Sequence, residues 1–160
     1  MVSILIAILS TSSSTNGFGV VRWDGSHFDG FATIDATGLG GLDFNLSAVG
    51  FQVIVVAADL NFPFTLNAYT DASNYTSLTL LSGGPGGYFI PFSAFDSIFA
   101  TDTGLGVDFS NVGALEAIIN TGGTTQAVDL EIQLVSVVPE PTSPCAAWTW
   151  TAGLRCYSSS

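Results

Sequence analysis

The chain has 160 residues, with 13 Asp/Glu against 2 Lys/Arg and a single His, giving a formal net charge of −11, while 48% of its residues are apolar. That is one domain's length, and the apolar fraction separates it from disordered chains, which combine low hydrophobicity with high charge. With almost no cations to neutralise phosphates, nucleic acid and anionic membrane surfaces are poor partners; with almost no His, Lys or Cys to act as a base near neutral pH, an enzyme is not expected.

Residues 2–9 (VSILIAIL) form an apolar run followed by the polar stretch STSSSTNG. The length suits a signal-peptide core, yet no Lys or Arg precedes it and no small-x-small cleavage site follows. The run is read as the first strand of a buried sheet, with a truncated signal remnant over residues 1–16 as the alternative. If it is a strand, the export signal is expected upstream of Met1. The run is too short to span a bilayer.

Further along, 18–23 (FGVVRW), 51–58 (FQVIVVAA), 64–70 (FTLNAYT), 75–81 (YTSLTLL), 114–119 (ALEAII) and 127–137 (AVDLEIQLVSV) are rich in β-branched and aromatic residues and bounded by Gly, Asn, Asp or Pro. In the last, Val128, Leu130, Ile132 and Leu134 alternate with Asp129, Glu131 and Gln133, so one face enters a core and the other meets water. The single helical candidate is a turn around Ser93–Phe95, after Pro91 ends an extended segment. Short strands joined by Gly-rich turns predict an all-β fold: two antiparallel sheets packed as a sandwich or jelly roll over residues 1–137.

An internal echo links TGLGGLDFNLSAVGFQVIVV (37–56) to TGLGVDFSNVGALEAII (103–119). Each copy is expected to bring the chain round an end and into a central strand, with Asp43 and Asp108 capping turns through their side chains. The alternative is shared Ca²⁺ ligation by these two residues, although calcium takes about six or more converging oxygens and no DxDxDG loop is present.

No catalytic motif emerges. His27 sits in WDGSHFDG beside Asp24, Ser26 and Asp29, but GxSxG, HExxH and P-loop patterns are absent, and sequence neighbours on a turn do not make a triad. The His is read as a residue of a surface Asp-Gly turn. Trp23, Tyr69 and Tyr75 are candidates for stacking on sugar rings; the two tyrosines flank the polar turn TDASN on the strand face shared with Thr65 and Asn67, and are the more exposed pair expected. Core packing is the competing assignment for all the aromatics. Two N-x-[ST] sequons begin at Asn45 and Asn74 and matter only in a glycosylating pathway.

After the last strand, VVPEPTSP (137–144) forms a Pro-rich break. Val138-Pro139-Glu140-Pro141 resembles the opening of the PEP-CTERM sorting signal of exported proteins of Gram-negative bacteria. That resemblance implies recognition by an exosortase through Pro139, Glu140 and Pro141, and delivery to the cell envelope or extracellular matrix. The family's Leu/Gly-rich membrane helix and Arg cluster do not follow; the chain instead reads PCAAWTWTAGLRCYSSS. One permitted codon choice for residues 144–158, read one base later, encodes LALLGLGLLAFAAT. A frameshift just after Ser143 is therefore expected, leaving residues 138–143 as a linker and 144–160 as a disordered out-of-frame tail in which Cys145 and Cys156 are accidental.

The stretch from Tyr88 to Asn120, with WDG and the DLNFPFTLNAYTDASNYTSLTL hairpin, is similar to jelly-roll domains that precede PEP-CTERM signals. IPFSAF followed by DFSNVGALEAII is also similar to galactose-binding-like and carbohydrate-binding-module jelly rolls, a likeness of fold that does not fix function. The expectation is a non-enzymatic, exported envelope or matrix protein without a cofactor and without a membrane span in this chain. A carbohydrate-binding module for exopolysaccharide, with or without Ca²⁺, is the alternative; a glycoside hydrolase, needing two carboxylates across a cleft, ranks below it.

Overall fold

Runs of branched and aromatic residues, most of them stopped by Gly, Pro, Asn or Asp, build nine strands among the described residues: β1 Ile6–Ser10, β2 Gly19–Trp23, β3 Gly50–Ala58, β4 Pro63–Asp71, β5 Asn74–Leu81, β6 Gly86–Pro91, β7 Ala100–Thr103, β8 Ala114–Ile119 and β9 Asp129–Val138. They come from a computed structural model that describes residues 6–10, 16–25, 33–46, 48–125 and 129–138, with most of β1 and β9 described through backbone alone. The strands form a four-stranded sheet, β1-β9-β3-β6, and a five-stranded sheet, β2-β8-β4-β5-β7. Every neighbouring pair is antiparallel. With the short edge strand β7 set aside, the chain alternates between sheets in the order of a jelly roll, interrupted only by the β4–β5 hairpin. Among the described residues the only helical segments are 3-10 turns, at Phe92–Asp96 and Thr121–Gly123.

The all-β sandwich expected from the sequence is therefore the architecture observed. The expected strand list lacks β6 and β7, for different reasons. GGYFIP begins with two glycines and ends in proline, so its strand signal is short; ATDT is polar and is held only along the sheet edge, against β5.

The sheets close on an aromatic core. Phe51 is fully buried, and its ring centroid lies 5.3 Å from Phe92, 6.0 Å from Phe95 and Phe109 and 6.2 Å from Phe44. Edge-on contacts dominate, as aromatic quadrupoles favour, while Phe92 and Phe109 stack at 4.2 Å. Phe92 and Phe95 reach this cluster from the 3-10 turn, which starts where Pro91 holds the backbone extended and closes with Ser97 N–H donating to the Ala94 carbonyl at 3.2 Å.

The two echoed segments pair with each other. Leu42 and Val112 exchange backbone hydrogen bonds of 2.8 Å each, Leu39 N–H donates to the Gly113 carbonyl and Phe44 N–H to the Phe109 carbonyl, also at 2.8 Å. Each copy then leads into an interior strand, β3 of one sheet and β8 of the other. Gly113 permits the close crossing: a Cβ there would lie 2.1 Å from the Ala36 carbonyl oxygen and 2.6 Å from that of Thr70. Asp43 accepts from Leu46 N–H at 3.2 Å, and Asp108 accepts from the N–H and hydroxyl of Ser110 at 2.8 and 2.6 Å, so both carboxylates cap turns.

Candidate functional site

Polar side chains converge on the outer face of the five-stranded sheet. Because β4 is central, its neighbours cover it on both sides: Phe64, Leu66 and Ala68 are buried toward the core, and Thr65, Asn67 and Tyr69 are buried on the face away from it. The register makes three rows across the strands. In the middle row Arg22 faces Glu116, Glu116 faces Asn67, Asn67 faces Ser77, and Ser77 faces Thr101.

That row is anchored by an ion pair. Arg22 Nε donates to Glu116 Oε1 at 2.7 Å, and Asn67 Nδ2 donates to Glu116 Oε2 at 2.8 Å, so each carboxylate oxygen holds a strong donor. Glu116 and Asn67 are 7% exposed each. The Asn67 Oδ1 atom is buried with no hydrogen-bond partner. Leaving a buried acceptor unmet costs about 1–3 kcal/mol, and native proteins keep few of them.

The flanking rows differ in chemistry. On one side Thr65 Oγ1 shares hydrogen bonds of 2.8 Å with the hydroxyls of Thr79 and Thr121. On the other, Tyr69 and Tyr75 stand opposite each other in the register and stack with centroids 4.8 Å apart and planes 29° apart. Ile34, Ala36 and Ala114 pack with them. Burial, then the negative charge of Glu116, pushes the Tyr69 hydroxyl up from 10.0 to about 12, so it stays a protonated donor at neutral pH.

The sequence-predicted residues are thus divided. Tyr69 and Tyr75 come together on the face shared with Thr65 and Asn67, but Tyr69 is only 9% exposed and Tyr75 half-buried, which corrects the expectation of a solvent-facing pair. Trp23 points the other way, half-buried against the main core. Asp43 and Asp108 are committed to their turns, and among the described residues no group of three or more His, Cys, Asp or Glu side chains could hold a metal. Ser110 holds the Asp108 carboxyl below the ordinary carboxylate range, as Asn74 and Ser73 do for Asp71. Asp24 accepts from Asp35 N–H at 3.2 Å, tying the end of β2 to residue 35. His27, the Pro139-Glu140-Pro141 motif and residues 144–160 lie outside the described residues.

Arg22 and Glu116 were missed by sequence reasoning, which placed Asn67 on this face but gave it no role. ALEAII carries a signal, a single acid inside an apolar strand, which is costly unless a cation and further donors meet it. A separate crevice of about 30 Å³ opens between the sheets, lined by residues such as Val53, Val55, Phe62, Phe64 and Ile90. Its walls are almost wholly apolar and it offers no convergent polar groups for a ligand. Among the described residues no helix is long and apolar enough to cross a membrane. Comparison of the chain with protein-family models, curated proteins and solved structures gives no match.

Proposed function

We propose that this is a non-enzymatic domain exported to the cell envelope or extracellular matrix of a Gram-negative bacterium, sorted by an exosortase through Pro139, Glu140 and Pro141. The observation that carries this reading is positional. The last strand ends at Val138, and the Pro-Glu-Pro motif begins at the next residue. A sorting signal is expected where a folded domain stops, because its readout needs extended, solvated chain, and Pro-rich sequence supplies it. The absence of Lys and the −11 charge suit a matrix component that stays free of anionic polymers.

Sequencing the gene across codons 143–160 tests this reading. The expected result is that the frame one base later encodes a Leu/Gly-rich apolar stretch ending in an Arg cluster; an alternative frame that is polar or interrupted by stops overturns the frameshift and leaves the motif an ordinary linker.

A second reading, glycan binding, is favoured by one observation: the buried polar row and stacked tyrosines on a single sheet face. Catalysis finds no such support, since the buried Glu116 is committed to Arg22 and Asn67.

A further inference from the structure

We infer that the free edge of β6 is an interface between two copies of this chain, which pair antiparallel across a two-fold axis at Tyr88 and join their four-stranded sheets into one. Among the described residues β6 has β3 as its single strand neighbour. Phe92 N–H donates to the Val49 carbonyl at 3.0 Å, and the unbroken register carries that phase along the pair, so Ile90, Tyr88 and Gly86 bond toward β3 as well. The backbone groups of Gly87 and Phe89 therefore point away from it. Both residues are exposed, and Pro85 and Pro91, which have no N–H, bracket this open edge.

One register makes the edge self-complementary. With Gly87 set opposite Phe89 of the second copy, Tyr88 meets its own counterpart on the axis, and every outward N–H and C=O of Gly87 and Phe89 in both copies finds a partner. The next outward pair is Pro85 against Pro91, neither of which can donate, so the pairing stops where its donors stop. The side chains fit the same register. The Phe89 ring rests on Gly50 of β3, where a Cβ would lie 2.9 Å from it, yet Phe89 is still 53% exposed. Across the axis it meets a glycine, which leaves room for the ring. Exposed Leu81, which lines the apolar crevice together with Tyr88 and Ile90, adds apolar surface beside the edge. Charge also selects this edge. Copies of net charge −11 approach most readily where charge is missing, and residues 72–95 contain no charged residue. The outer strands of the other sheet carry charges of the kind that guard free edges, Arg22 on β2 and Asp102 on β7. The remaining outer strand, β1 (IAILS), has no glycine to receive a ring.

The test is sedimentation equilibrium of the full chain from about 10 μM to about 1 mM, in about 0.5 M NaCl to screen the net charge, with amide hydrogen exchange followed by NMR at both ends of that range. The expected result is a reversible monomer–dimer equilibrium that goes no further than the dimer, with a dissociation constant of about 0.1 mM, as a small interface gives. The Gly87 and Phe89 amides exchange more slowly at the high concentration and recover on dilution. Phe89→Lys and Gly87→Glu, each at an exposed position, weaken association about tenfold or more by setting charge against the partner's edge; either variant reads the interface if the other fails to fold. Leu105→Lys, at an exposed residue after β7, leaves association unchanged. A monomer at every concentration overturns the inference. So does a dimer that both edge variants leave intact, or one whose slowed amides lie in β1 or β2 in place of Gly87 and Phe89.

Discussion

The two faces of β4 are both buried, yet they are built from opposite chemistry. Toward the sandwich core, Phe64, Leu66 and Ala68 meet Leu115, Ala117 and Leu78 in a dry interface held by apolar contact. Toward the outside, Thr65, Asn67 and Tyr69 meet Glu116, Thr79 and Tyr75 through directed hydrogen bonds, a paired charge and a ring stack. The inner face leaves an almost wholly apolar crevice beside Phe64; the outer face leaves one acceptor unmet. The difference teaches that burial alone does not mark a core: one buried face of β4 is held by apolar packing and the other by a hydrogen-bonded network with a paired charge.

The comparison can be broken most forcefully from the inner side. Leu66→Ala, at a fully buried position, is expected to destabilise the domain by about 2–5 kcal/mol in denaturant unfolding, from lost transfer energy plus the cavity left behind. On the outer side Arg22→Ala leaves the Glu116 charge with Asn67 as its remaining described donor. The loss expected is about 1–2 kcal/mol, less than for a fully buried pair because the Arg22 side chain is 34% open to water. A loss as large as that of Leu66→Ala would mean that the outer network holds the fold as firmly as the core does.

Alkaline titration sharpens the contrast. Tyr69 binds its proton more tightly in the folded state, so it leaves stability unchanged below pH 10 and lowers it as pH rises from 10 toward about 12. Tyrosinate absorbance should show one residue ionising near the upper value, and Tyr69→Phe should remove that step. The smallest effects belong to exposed turns. Asp71 and Asp108 have folded values below 3.8, so their contribution is present above that pH and is lost as pH falls through the folded values. Carboxyl NMR titration should place both below the ordinary carboxylate range.

Much of the fold was legible in the sequence because strand periodicity and turn residues are local. ALEAII reads as a strand in isolation and forms β8 over the same residues. SAFD reads as one helical turn and lies within the 3-10 turn at Phe92–Asp96. The pairing of the two echoed segments was not legible, since a repeat shows similarity without showing contact; the backbone bonds of Leu39, Leu42 and Phe44 to Gly113, Val112 and Phe109 are what show the copies clasping one another. The site was half legible. Alternation put Tyr69, Tyr75, Thr65 and Asn67 on one face, but that this face is covered, and that Arg22 and Glu116 join it from strands far apart in sequence, depends on strand order. Trp23 shows the converse: offered as a ring for stacking on sugar, it is turned inward by the parity of β2 while its neighbour Arg22 goes outward.

The central claim is that this sandwich is exported and sorted through its Pro-Glu-Pro motif. It is tested most directly by expressing the gene, with the later frame restored after Ser143, in an exosortase-bearing Gram-negative host and in the same host lacking that enzyme, and following the domain by immunoblot in cell and medium fractions. The account predicts release or surface display that needs both the exosortase and Glu140, with Glu140→Ala accumulating as an unprocessed, membrane-associated species. Equal processing and distribution of wild type and Glu140→Ala, with or without the exosortase, would contradict it.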